Sequence, residues 1–479
     1  MKQSITFQPV SFIKLFLIIS FTISFSLAAF TQHLYKSSQL SIVKADEYKY
    51  TSPTTPAKKR FWRAAGEWTM MQVLPWASNR YIRKAPFAKI SISSIGHNLN
   101  PKNVEWDDNK FFNNQFSHPY QGSLYFNAFR SNGYNFWASS AAAAAGSLVW
   151  ETICETHVPA PNDLVNTTLG GIAFGEMSNR ISKKLLNRKR GRKTNILAAS
   201  LSFAINPVNN VNSFLDRKER KKNKLSYVDN TPLNFSADAG LRLVTINSRS
   251  KFSHLKKEMF GRIQLQYGDP YASSKDPFSS FSLSLEAGNC DSAKGNTLLI
   301  EGTLYGKKIK ENNVSKLSLN ISMKYDFYQN SSFVYSAQSF NANLLSAFKI
   351  SNHLQIQLKA GAGIIALAAV PNPHMYYGEG RNYNYCSGIN FQTGLSISLF
   401  NKLFYDFNCN VALLKTVNGY PSSHLAYNST SKISLKIYKD ISLSASTSNY
   451  YFNGYYKNYT NTTEHHLFRY FSLGYKTTI

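Results

Sequence analysis

From about Asn195 onward, apolar and polar residues alternate one by one. Leu317, Leu319, Ile321, Met323, Tyr325 and Phe327 are separated by Ser318, Asn320, Ser322, Lys324 and Asp326. The pattern recurs through Phe391–Leu399, Leu403–Leu413, Ile433–Ile437 and Ile441–Ala445. Successive strand side chains point to opposite faces, so this is the signature of strands with one apolar and one polar face. It predicts Leu317, Leu319, Ile321 and Met323 facing lipid, and Ser318, Asn320 and Ser322 facing a lumen. Many runs reach the roughly 9–11 residues that cross a bilayer as a tilted strand. Short turns are predicted near Ser351–His353, Asn401–Lys402 and Lys439–Asp440, and longer loops at Pro371–Tyr383, Asn418–His424 and Gly454–Glu464. That asymmetry belongs to outer-membrane barrels. Counting back from the final run FSLGYKTTI predicts a roughly 12-stranded antiparallel barrel over residues 233–479. Phe340 falls out of phase with Tyr335, which predicts a bulge or loop between them.

Before this region the period is helical. Three helices are predicted in the central stretch: Ser123 to Asn132, stopped by Gly133; Phe136 to Thr156; and Asp163, as N-cap, through Glu176 toward Leu186. Ala141 to Gly146 are all small, and Gly171 and Gly175 share a face. Such faces let helix backbones approach closely. Phe61 to Ile82 is aromatic and basic, and predicts a further amphipathic helix. Ala88 to Ile95 predicts a short strand. The fold class is therefore mainly β, a transmembrane-type barrel with an N-terminal domain of about three to four helices.

The segments WDDNKFFNNQFSHPYQGSLYFNAFRSNGYNFW, SLVWETICET and PAPNDLVNTTLGGIAFGEM resemble an uncharacterised envelope family, "domain of unknown function 3943". The resemblance spans about Phe61 to Leu186. It implies a Gram-negative envelope location and this architecture, and no chemistry. The alanine-rich second helix departs from the bulkier residues expected there.

Charge changes the picture of partners. There are 54 Lys+Arg against 26 Asp+Glu, a net +28. So basic a chain seeks anionic partners. Lys2 and Lys14 precede an apolar run from Leu15 to Phe30, with small residues at Ser26–Ala29. This reads as a signal peptide over 1–29, followed by a flexible linker over 30–60. Export makes nucleic acid an unexpected partner. Outer-membrane lipid, lipopolysaccharide and other envelope polyanions are the expected ones, through the basic runs Lys183–Lys193 and Arg217–Lys224. The helical motif domain is taken as 61–186 and as periplasmic. A basic loop region with one possible strand is expected over 187–232. The four cysteines, Cys154, Cys290, Cys386 and Cys409, form no CxxC pair. Cys290 and Cys386 could pair; free, buried thiols are the main expectation.

The candidate chemistry lies in the helical stretch. Glu151 and Glu155 are four apart and share a face, where like charges need a compensating partner. His118, His157 and Asp163 are the nearest in sequence. His118, Glu151, Glu155 and Asp163 are the candidate catalytic residues, and His118, Glu151 and Glu155 the candidate metal ligands. The spacing matches no tight ligand motif, and no cofactor is expected. Three functional readings follow. The first is a non-enzymatic outer-membrane barrel that binds or passes a ligand, or is structural. The second is an outer-membrane enzyme acting on lipid or glycan through the His/Glu/Asp cluster. The third is a soluble periplasmic polyanion-binding β-protein.

Overall fold

The computed structural model describes residues 58–186, 196–216, 229, 231–246, 256–289, 295–330 and 333–478. The expected signal peptide, nearly all of the linker, and most of both basic runs lie outside these residues. Twelve antiparallel strands close into a barrel, each paired with its neighbours in sequence and β1 with β12. They are β1 Leu233–Ile246, β2 Lys256–Tyr267, β3 Phe281–Asn289, β4 Gly295–Glu311, β5 Ser315–Gln329 and β6 Val334–Lys349; then β7 Leu354–Pro371, β8 Tyr383–Leu399, β9 Leu403–Asn418, β10 Ser422–Tyr438, β11 Ile441–Tyr456 and β12 Thr462–Thr478. Closure pairs the edges that an open sheet would expose. The strands extend further than the alternation indicated. The loop expected at Asn418–His424 narrows to residues 419–421. The bulge expected near Phe340 appears as a register shift against β7 between Gln338 and Ser339.

One end of the barrel holds the start of β1 and the end of β12, here called the terminal end. The opposite end carries the 372–382 loop, and is called the loop end. Short β3 leaves the terminal-end part of β4 without a strand partner. Residues 268–280 take its place: Ser274 and Gly306 exchange backbone hydrogen bonds, and Phe278 N–H donates to Thr303 O at 2.6 Å. Tyr271 enters the lumen from this segment, and its carbonyl accepts from Ser318 Oγ at 2.7 Å.

The eight helices among the described residues are α1 Phe61–Ala77, α2 Ile92–Asn98, α3 His118–Arg130, α4 Phe136–Val149, α5 Pro161–Val165, α6 Gly171–Leu186, α7 Ile196–Ile205 and α8 Pro207–Leu215. Four of them, α1, α3, α4 and α6, run for thirteen residues or more. Several boundaries differ from expectation. Pro119 is tolerated in a first turn, so α3 starts at His118 and not at Ser123. The second helix ends by residue 154, after a wide π-helical turn over Trp150–Cys154. Asp163 is not an N-cap: α5 begins at Pro161, and a π-helical turn over Asn166–Gly170 joins it to α6. Where a strand was expected at Ala88–Ile95, Ser91 caps α2 through a reciprocal bond pair with Ser94. Among the described residues of 187–232 there is no strand; α7 and α8 stand there, packed on α6 and α3.

The helices do not hang from one end of the barrel. They lie along its outer wall. On β5 the face that exposes Leu319 and Ile321 also carries Met323, Tyr325 and Phe327, and these three are buried. Phe174 of α6 packs on Tyr325 with ring centroids 5.1 Å apart, and Phe111 on Phe327 at 5.7 Å. Asn114 donates to the hydroxyls of Tyr383 and Tyr385 on β8, each at 2.9 Å. Met323 thus faces helices and not lipid. The stretch that ends in α6 starts beside β8 at the loop end. It finishes at the terminal end, where Lys184 Nζ donates to the carbonyls of Asp229 and Thr231 just before β1.

Helices α3 and α6 touch backbone to backbone. A Cβ on Gly122 would lie 1.9 Å from Thr167 O, and one on Gly171 would lie 2.7 Å from Gly122 Cα. Across the same contact Glu176 is fully buried between Arg130 and Arg180. Arg180 in turn bonds Asp276 and the Pro277 carbonyl, tying the helix to the 268–280 segment.

Candidate functional site

Two interiors are candidates: the lumen and the helical layer. The lumen is obstructed near the loop end. Tyr328 of β5 and Tyr450 of β11 stand on opposite sides of the twelve-strand ring, yet their rings are 6.1 Å apart. Phe333 packs on Tyr450 with ring centroids 5.2 Å apart, and Phe468, Phe452 and Phe260 complete a buried aromatic layer. Beside it Arg242 bonds Glu258 and Glu286, and Arg262 bonds Glu286. Toward the terminal end the lumen keeps a polar cavity of about 550 Å³, lined by Gln264, Glu301, Lys359, Asp406 and Lys432 among others.

The helical layer brings the predicted residues together. His118 opens α3, Glu151 follows α4, and Asp163 lies in the first turn of α5. Three helix termini therefore meet at the loop end. One ligand-type atom each from His118, Glu151 and Asp163 lies within 4.8 Å of the others. His118 Nε2 is 3.7 Å from Asp163 Oδ1, and Nδ1 is 3.2 Å from Thr167 Oγ1. Asn162 Nδ2 donates to Asp163 Oδ1 at 2.8 Å, and the Ala160 N–H donates to Glu151 Oε2 at 3.3 Å. Glu155 contacts Glu151 through a side-chain hydrogen bond and stands outside the three-residue set. His157, also near in sequence, is exposed and takes no part.

Asp107 is the member that sequence reasoning missed. Its charge acts on His118, Glu155 and Asp163. Its N–H donates to Asn162 Oδ1 at 2.9 Å, which fixes the loop against α5. The signal was present in the Asp107–Asp108 pair of the quoted WDDNK run, but nothing local aims that pair at His118. Asn98 supports the other side: its Nδ2 donates to the carbonyls of Glu155 and His157 at 3.0 and 2.7 Å.

The electrostatics are one-sided. Burial pushes the Glu151 and Asp163 carboxyls well above the usual carboxylate range; Glu155 and Asp163 act further on Glu151, and Asp107 and Glu155 on Asp163. Burial also lowers the His118 imidazole. Among the described residues, no Lys or Arg forms an ion pair with Glu151, Glu155 or Asp163. Contrast Glu176, an equally buried carboxyl that is paired with two arginines. The order Asp163, His118, Thr167 matches an orienter, base and hydroxyl. Thr167 is itself buried, so its hydroxyl sets the imidazole's orientation and does not meet a substrate. Cys154, Cys386 and Cys409 are free and buried, as expected; Cys290, the other half of the Cys290–Cys386 pair considered above, lies outside the described residues.

No curated protein matches the chain. Solved structures that resemble it include a porin, a transporter and an outer-membrane channel. The NanC porin is 11% identical, covering 51% of this chain and all of its own, with a TM-score of 0.29. The toluene transporter TodX of Pseudomonas putida is 7% identical, covering 52% and 90%, at 0.24. The channel DcaP of Acinetobacter baumannii is 8% identical, covering 51% and 96%, at 0.25. The barrel itself rests on the strand pairing above. The family model described as "Domain of unknown function (DUF3943)" matches residues 103–208, which hold the quoted motifs and all the clustered side chains. The chain thus matches the DUF3943 model over residues 103–208, and the described part of that stretch is set against the outer wall of a closed twelve-stranded barrel.

Proposed function

We propose that this is an outer-membrane protein whose barrel acts as a support, and whose working site is the His118–Glu151–Asp163 cluster holding a divalent cation. One observation carries the reading: buried carboxyls from two helices converge on an imidazole with no basic side chain among them. Buried carboxylates are costly unless paired or coordinated. Imidazole with carboxylates is a donor set suited to first-row divalent metals. Donors about 2.1 Å from a cation at tetrahedral angles lie about 3.4 Å apart. His118 Nε2 and Asp163 Oδ1, 3.7 Å apart, are near that spacing, and the full set, within 4.8 Å, would have to close by at most about 1.4 Å. The aromatic layer across the lumen speaks against free passage through the barrel. An apolar outer face speaks against a soluble periplasmic protein. Envelope polyanions are the partners proposed for Lys183–Lys193 and Arg217–Lys224.

The test is cation titration of the purified, folded protein with Zn²⁺ and Mn²⁺, read by calorimetry and thermal unfolding. One site per chain is expected, abolished by His118→Ala and by Asp163→Asn. At a cation concentration 100-fold above Kd the folded state gains about 2.7 kcal/mol. Glu151→Gln separates a site from a mere helix lock. As a ligand, its loss weakens cation binding while the chain still folds. No saturable binding, or binding unchanged in His118→Ala and Asp163→Asn, would refute the proposal.

A further inference from the structure

We propose that the helical layer is immersed in the hydrocarbon of the membrane beside the barrel, with lipid acyl chains as the occupant of its outer surface. The first observation is the composition of that surface. Exposed positions of α1 are Phe61, Trp62, Gly66, Thr69, Met70, Val73 and Leu74. Those of α4 are Trp137, Ala138, Ala141, Ala145 and Leu148; those of α7 and α8 are again apolar apart from Ser200. None of these positions is charged, although the chain as a whole is strongly charged. A helix facing water carries its charges outward. Here they point inward instead. On α1, Arg63 bonds Asp216 and Asn132, Glu67 accepts from Asn132 and Asn212, and Gln72 bonds Gly146 O and Tyr125.

The second observation is where the exposed charges lie. Arg83, Lys84, Lys89, Lys102, Glu105 and Lys110 are exposed, in the segment that leads to the loop-end site. Lys58 and Lys59 are exposed at the start of α1. Between these rims, Trp62 and Tyr81 mark the two ends of one continuous helical stretch. At 1.5 Å per residue they stand about 28 Å apart along it, close to the thickness of a bilayer's hydrocarbon. Aromatic residues at both edges of an apolar band are what a membrane interface selects. The third observation is continuity. The helices pack on the outward face of β5, and beside them the same wall exposes Leu319 at 41%, Ile321 at 38% and Ile364 at 62%. Helical layer and bare wall therefore present one apolar surface. Among the described residues no single helix is long and apolar enough to cross a membrane. The bundle meets that shortfall by turning its polar groups toward one another and the barrel. Alanine in the second helix then has a reason: small residues pack inward at Ser139, Ala142, Ala143 and Gly146, while the outward alanines need only be apolar.

All six tryptophans, at 62, 68, 76, 106, 137 and 150, lie in the helical layer and none in the barrel. Tryptophan emission thus reports on this layer alone. Trp62 is 85% and Trp137 63% exposed. The experiment inserts the full chain into phosphatidylcholine vesicles with brominated acyl chains, and separately exposes it to aqueous iodide. Brominated lipid is expected to quench about a third of the emission, and iodide little. In the Trp62→Phe/Trp137→Phe variant most of the lipid quenching should disappear. Quenching by iodide and not by lipid would place the layer in water and overturn the proposal. Quenching by neither would mean that a second copy or another protein covers the surface, and would overturn it too. Should the double variant fold poorly, a nitroxide on Ala145→Cys gives an independent reading. Greater accessibility to oxygen than to a water-soluble nickel complex is expected, and the reverse order would contradict immersion.

Discussion

Gly122→Ala tests the close crossing that holds the helical layer together. The added Cβ would meet Thr167 O at 1.9 Å, Thr167 C at 2.8 Å and Gly171 Cα at 3.1 Å. All three are backbone atoms, so no side chain can swing aside. Relief requires α3 and the α5–α6 stretch to part by about 1.5 Å to reach ordinary contact. Overpacking of this kind costs roughly 1–3 kcal/mol, and a clash with backbone belongs at the upper end. Replacing glycine by alanine within a helix returns up to about 1 kcal/mol. The net expectation is about 2 kcal/mol of destabilisation, confined to the helices. Gly66→Ala in α1 is the matched control, because a Cβ there meets nothing within 4 Å. It should be neutral or gain up to about 1 kcal/mol. The two variants should therefore differ by about 3 kcal/mol. The assay is urea unfolding followed by tryptophan emission, which reports on the helices. Heat-modifiable gel migration, which reports barrel closure, serves as the internal reference and should not change. A Gly122→Ala midpoint equal to or above that of Gly66→Ala would refute the backbone contact.

Further variants probe the wall, the buried ion pairs and the thiols. Leu319→Arg should impair assembly by roughly 2–4 kcal/mol if near the midplane, whereas Gln357→Arg, on the open lumenal cavity, should fold nearly normally; folded yield on gels compares them. Ser318→Arg would not serve as the lumenal control, since Ser318 is buried beneath Tyr271. Glu176→Gln leaves Arg130 and Arg180 facing each other without their shared carboxylate and should cost about 3–5 kcal/mol, seen as helical unfolding at lower urea. With Cys290→Ser as background, Cys154, Cys386 and Cys409 should resist a thiol reagent until denaturant is added; rapid labelling of the folded protein would contradict their burial.

The alternation of single residues determined the barrel. A period of two can satisfy its apolar and polar halves together only on a sheet with two different faces. Roughly twelve such runs, joined by alternating short turns and longer loops, leave closure as the way to pair every backbone group. Small residues at Gly146, Gly171 and Gly175 likewise announced close helix contact. What the sequence left open was which apolar face touches what. Leu319, Ile321, Met323, Tyr325 and Phe327 form one unbroken apolar row, but the first two are bare and the last three lie under α6 and the segment before α3. Lipid and a packed helix ask for the same side-chain polarity, so periodicity cannot separate them. The candidate cluster shows the same division. Local spacing singled out His118, Glu151, Glu155 and Asp163 as a chemical set. It could not find Asp107, or show that Asp163 faces His118 from inside a helix instead of capping it. Those relations depend on three helix ends arriving at one point. Only the packing of α3, α4 and α5 against one another and the wall decides that, because the groups that meet are set by helix length and crossing angle, not by neighbours in the chain.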